Sequence, residues 1–128
     1  MPFDNPHQTP FGDLELLRDA RSHISDERDW VQGRYRDGDR YCLVATLTMV
    51  AKSPTFHTPN RVERRLARLL AAQLPSQVPF WGRMKCFTGR QRLIWFNDSP
   101  GTTHEDVIAL FDGTIDHLMS KVPAYMPA

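Results

Sequence analysis

Cysteine is scarce in this chain: Cys42 and Cys86 are the two in 128 residues. Their number and placement suit neither a disulfide framework nor a zinc site, and both are expected as reduced thiols packed like small apolar side chains. Long apolar runs are missing as well. Nothing approaches the roughly 20 residues that a membrane-spanning helix needs. Residues 1–10 are polar and proline-rich, without the apolar centre of a secretory signal, so the expected compartment is the cytoplasm. There is no glycine-rich phosphate loop, no nucleophile elbow and no dinucleotide fingerprint. The five histidines form neither a His-x-x-x-His pair nor a His-Cys cluster, so neither a metal nor a cofactor is expected. Together these absences set catalysis behind binding as a class of function.

What is present fits one ordinary globular domain, residues 1–128, long enough to bury a core without metals or disulfides. The net charge is +1, yet it is unevenly spread. Residues 61–92 carry eight basic side chains (Arg61, Arg64, Arg65, Arg68, Arg83, Lys85, Arg90, Arg92) against Glu63 alone. Residues 1–60 carry seven basic and nine acidic, and residues 93–128 one basic and five acidic. A middle segment of this kind either lies against the acidic flanks, within the fold or in a dimer, or offers a patch to phosphates or nucleic acid.

Hydrophobic spacing predicts a mainly α fold of about four helices, with a small β-hairpin between the third and fourth. Residues 1–12, with Pro2, Pro6 and Pro10, read as an irregular arm, and residues 123–128 as a tail. The first helix is expected over 13–24, with Leu14, Leu17 and Ile24 facing inward and Asp13 as N-cap. Trp30 to Gly33 reads as an extended or turn segment that drops Trp30 into the core. Asp37-Gly38 marks a turn. A second helix over about 39–52 is apolar on most sides, which indicates a central element. For the third helix, Thr58 is the expected N-cap and Pro59 the first residue. Val62, Leu66, Leu69 and Leu70 form its inner stripe, and Arg61, Arg64, Arg65 and Arg68 its outer face. Residues 84–96 read as the hairpin, its strands at 85–88 and 93–96 and its turn near Gly89-Arg90. The fourth helix is expected over about 103–121, with Thr102 and Glu105 at capping-box spacing. Gly113 within it suggests close packing against the second helix.

Three pieces in order, Leu17-x-x-Ala20-x-x-x-Ile24 followed by Trp30-x-Gln32-Gly33, then Cys42, and Trp95-x-Asn97-Asp98-x-Pro100-Gly101-Thr102 leading into Glu105 and Val107, carry a resemblance. The chain resembles a family of small bacterial and phage proteins known as a domain of unknown function, over roughly residues 14–119. Phe96 stands here between tryptophan and the Asn-Asp pair, and Ala45 where the family usually has glycine. The resemblance implies a small helical protein and no activity, substrate or cofactor.

The candidate ligand-binding residues are Trp30, Gln32, Trp95, Asn97 and Asp98. An amide and a carboxylate on a rigid rim can recognise a ligand, and two tryptophans with a polar handle would make an aromatic pocket. Against this, Asn97 or Asp98 can serve a turn, and a buried tryptophan needs an indole partner that Gln32 or Asn97 could supply. The alternative site is basic: Arg61, Arg64, Arg65 and Arg68 for phosphates, with Phe80, Trp81 and Phe87 as aromatics that stack on unpaired bases. A third alternative is an enzyme built on Asn97, Asp98 and Cys42, the thiol lying near a helix N-terminus that could activate it. The favoured function is a non-catalytic binding or interaction protein, with a homodimer through apolar helical faces open as a partner. Nucleic acid ranks behind it, and no membrane is expected.

Overall fold

The computed structural model describes residues 10–75 and 88–121. The expected arm and tail lie outside these residues, apart from the first turn of α1. So do Cys86, Phe80, Trp81, Phe87 and most of the first expected hairpin strand. Among the described residues there are five α-helices: α1 (Pro10–Ser22), α2 (Leu43–Ala51), α3 (Arg61–Ala71), α4 (Gly89–Asp98) and α5 (His104–Met119). A short antiparallel hairpin of β1 (Arg36–Asp37) and β2 (Arg40–Tyr41) precedes α2. No helix among them is long and apolar enough to cross a membrane.

Helix α2 is the hub. Leu43, Val44, Ala45, Thr46, Leu47 and Thr48 are all buried, and α1, α3 and α4 pack around it, while α5 packs on α1 and α3. Its threonines can sit inside because their hydroxyls bond back to the helix, Thr46 to the Leu43 carbonyl at 2.6 Å and Thr48 to that of Val44 at 3.2 Å. Leu14, Leu17, Ile24, Leu66, Leu70, Leu93, Val107 and Phe111 close the core around it.

Several boundaries differ from the sequence expectation, each for a local reason. Helix α1 begins at Pro10, where a proline lacks only an N–H that the first turn leaves unpaired. Asp13 is therefore not its cap but a first-turn residue, turned inward to Arg65 at 3.0 Å. Helix α2 begins only at Leu43, because Arg40 and Tyr41 pair with Asp37 and Arg36 across the Asp37-Gly38 turn. Cys42 becomes the N-cap, its sulfur accepting the Ala45 N–H at 3.4 Å. Helix α3 is capped by Asn60, whose side chain accepts the Glu63 N–H at 2.8 Å. Thr58 is occupied elsewhere, its hydroxyl accepting the Thr55 N–H at 3.1 Å. Helix α5 starts one residue later than the expected box, with Thr103 and Asp106 as the reciprocal pair.

The largest correction concerns residues 84–96. Its described part is helix, not hairpin. Leu93, Phe96 and Asn97 are buried together, the three-and-four spacing of one helix face, and Thr88 with Gln91 forms a complete capping box. Gly89 is the first helical residue rather than a hairpin turn. A Cβ there would meet the Ala67 carbonyl, the Arg68 Cα and the Ala71 Cβ, each at 3.3 Å, so the glycine lets α4 start hard against α3. Gly113 has no such role, since nothing lies within 4 Å of a Cβ built on it.

Candidate functional site

The Asn97 side chain is 1% exposed and uses its full hydrogen-bonding capacity. Its oxygen accepts the Trp30 indole N–H at 2.7 Å and the Leu43 N–H at 3.1 Å. Its amide nitrogen donates to the Val31 carbonyl at 3.1 Å and to Asp98 Oδ1 at 2.9 Å. Asp98 Oδ1 also accepts the Gly33 N–H at 2.9 Å. Gly33 needs to be glycine because its φ is +76°. Gln32 completes the clip: its amide nitrogen lies 2.9 Å from the carbonyls of Asn97 and Ser99 and 3.1 Å from that of Thr102. The last turn of α4, the loop into α5, the segment 30–33 and the first turn of α2 are thus tied at one point.

Of the five expected ligand-binding residues, Trp30, Gln32, Asn97 and Asp98 are brought together, and they bond to one another and to the backbone. Trp95 is half-buried and stands two residues before Asn97 on an α-helix, where side chains do not share a face. The ring beside Trp30 is that of His104, with centroids 5.9 Å apart, and His104 Nε2 lies 2.6 Å from the Ile24 carbonyl oxygen.

Cys42 is buried, and burial pushes its thiol up to about 11, the charge of Asp98 adding to the effect. The N-terminal end of α2 does not overcome this desolvation. Near neutral pH the thiol is protonated, a poor nucleophile.

A different arrangement opens on the far end of α4. A cleft of about 510 Å³ is lined by His57, Pro59, Arg64, Arg68, Thr88, Gly89, Arg90 and Gln91. The outer face of α3 supplies two arginines, and α4 supplies its first turn, where the helix dipole is positive. Among the described residues, no carboxylate is in this lining. Among the described residues neither Arg64 nor Arg68 has an acidic partner, and Arg64 donates to the Pro59 carbonyl at 3.2 Å. Arg61 is exposed at the start of α3 and is not part of the lining. Arg65 is withdrawn from the expected basic face by Asp13.

Arg90 has a structural partner. Its Nε donates to Glu63 Oε2 at 2.7 Å, and Glu63 is fully buried. Glu63 also accepts from Thr48 at 3.0 Å and from Ser53 at 2.6 Å. Arg90 donates to the Phe56 carbonyl and lies 4.4 Å over the Phe56 ring. A buried carboxylate is tolerable only with such partners. The sequence reading missed Glu63, yet its signal was present: Glu63 shares the helical face of Leu66 and Leu70. His57 and Arg90 could not be joined from spacing, because they meet only when the 53–60 loop folds against α4. Among the described residues no three His, Cys, Asp or Glu side chains gather as a metal-binding group.

Comparison with known proteins gives one result. No curated protein and no solved structure matches the chain. A family of unknown function, DUF6197, matches residues 9–117, which hold both the clip and the cleft, and the chain belongs to that family.

Proposed function

We propose that this chain is a non-catalytic binding protein, and that its ligand is an anion of the phosphate class held in the cleft between α3 and the first turn of α4. One observation carries the reading: Arg64 and Arg68 converge with the first turn of α4 on one cavity whose lining, among the described residues, holds no carboxylate. Arginine suits such a ligand because its planar fork donates two parallel hydrogen bonds to phosphate oxygens. A helix N-terminus adds backbone N–H groups and a positive dipole end. The volume falls in the range of roughly 300–1,000 Å³ usual for small-molecule sites. A homodimer is no part of this proposal: the described helices turn their apolar stripes inward, and Tyr35, at 38%, is the exposed large hydrophobic among the described residues. The enzyme alternative is less favoured because Asn97 is saturated and Cys42 is protonated.

Calorimetric titration with pyrophosphate tests the reading. Binding is expected at low salt, weakening as salt rises, and largely lost in the Arg64→Ala/Arg68→Ala double variant. Both side chains project from an exposed helix face, so the fold should survive their removal. No binding at low salt, or binding indifferent to the double replacement, defeats the proposal.

A further inference from the structure

The wall of the cleft is aromatic as well as basic. His57, exposed and part of the lining, meets the Phe56 ring edge-on, with centroids 5.4 Å apart and an interplanar angle of 85°. Phe56 in turn meets Tyr35, centroids 4.1 Å apart. Tyr35 belongs to the segment leading into β1, and it is 38% exposed. Three rings therefore touch in succession, His57 lining the cleft, Phe56 in the middle and Tyr35 exposed, with the Arg90 guanidinium 4.4 Å from the centre of the middle ring. Phe56 is half-buried and held by Arg90, so it braces the row, while His57 and Tyr35 are its accessible members.

A bare inorganic phosphate would use the arginines and leave this row idle. A ligand carrying both a phosphate and a flat π-system would use both. We propose that the cleft takes a nucleotide unit, with its phosphate on Arg64, Arg68 and the first turn of α4 and its base stacked on His57. This rests on the anion-binding reading above. Stacking on an aromatic side chain is tolerant of base identity, because every base has a π-face, so the site should accept several bases. The same chemistry can come from a free mononucleotide or from one unit of a single strand. Only a strand is long enough to continue past His57 to Tyr35. A duplex keeps its bases inside and cannot stack this way.

The test compares pyrophosphate, adenosine and uridine monophosphates, a short single-stranded oligonucleotide and its duplex, on the wild type and on His57→Ala and Tyr35→Ala. Both positions are exposed, and circular dichroism checks that the fold persists. The proposal expects a nucleotide or single strand to bind more tightly than pyrophosphate. It also expects His57→Ala to weaken that binding by about tenfold while leaving pyrophosphate unchanged. A loss in Tyr35→Ala confined to the oligonucleotide assigns the source as a strand; equal mononucleotide affinity in the wild type and Tyr35→Ala, with no further gain from the oligonucleotide, assigns a free nucleotide. If pyrophosphate binds through Arg64 and Arg68 but nucleotides gain nothing over it, the nucleotide proposal falls and the anion site stands. If the duplex binds as well as the single strand and His57→Ala is neutral, stacking is refuted. If none of the probes binds at low salt, both readings fail.

Discussion

Replacing Asn97 by alanine should cost about 3–8 kcal/mol of folding stability, and the figure follows from the partners it abandons. The substitution orphans the Trp30 indole N–H, the Leu43 N–H and the Val31 carbonyl, in residues that are 8%, 0% and 5% exposed. Each buried polar group left without a partner costs about 1–3 kcal/mol. Asp98 adds little, because it is exposed and water can replace the lost donor. Alanine's better helix propensity in the last turn of α4 offsets about half a kcal/mol. The net is a large part of the roughly 5–15 kcal/mol that holds a domain together. Urea unfolding followed by tryptophan fluorescence and circular dichroism measures it. The Asn97→Asp variant sharpens the test. It keeps an oxygen for Trp30 and Leu43 but faces the Val31 carbonyl and the Asp98 carboxylate without a donor. Its new carboxyl should have a raised pKa in the folded state, so its stability should fall as pH rises through that value and recover in acid. An Asn97→Ala loss below about 1 kcal/mol, or an Asn97→Asp variant insensitive to pH, would mean that the clip is not what holds these elements together.

Two further predictions bear on positions that the sequence reading cast differently. Gly113→Ala should stabilise the protein by about 1 kcal/mol, since the site is a helix interior with open space where the Cβ would stand; a raised urea midpoint with an unchanged slope supports this, and destabilisation counts against it. Cys42 should resist iodoacetamide at neutral pH in the folded protein, as read by peptide mapping that separates it from Cys86. Because its folded pKa is raised from 9.0 to about 11, the contribution is complete below pH 9 and should be lost as pH rises through about 11. The loss amounts to about 2–3 kcal/mol, and Cys42→Ala should flatten that part of the stability profile.

The helical architecture was legible where periodicity and caps agreed. Leu14 and Leu17 gave α1, which stops at Ser22, short of the expected Ile24, and the nearly all-apolar stretch from Leu43 to Leu47 announced a central helix. Residues 93–96 misled because four apolar residues in a row carry no period of their own. The neighbours that decide the matter are Thr88 with Gln91, which cap α4, and Asn97, whose burial continues the face of Leu93. Caps were missed by one or two residues because several polar residues competed for each role. Thr58 loses to Asn60 through its own turn with Thr55, and Thr102 loses to Thr103 where Gln32 holds its carbonyl. The pairing of Trp30 with Asn97 was foreseeable, since a buried indole N–H must find an acceptor. The aromatic row was not, because Tyr35, Phe56 and His57 come together only through long-range packing.

A side chain can serve a ligand only with hydrogen-bonding capacity that the fold has not already used. By that measure the two ends of α4 differ. At its C-terminal end Asn97 has two bonds at oxygen and two at nitrogen, all to groups of this chain, and the Gln32 amide nitrogen is engaged with three carbonyls. These residues carry the sequence pattern, and their bonds tie the end of α4 to the segment 30–33 and to α2. At the N-terminal end, Arg64 has five N–H donors and directs one bond to the Pro59 carbonyl, and Arg68 has no acidic partner among the described residues. Among the described residues, neither the cleft lining nor an ion pair compensates their charge. Arg90, in the same lining, shows what compensation looks like: a buried Glu63 fixes it in place. The pattern that first draws the eye is therefore the scaffold, and the less conspicuous arginines beside it are the groups with donors left to offer.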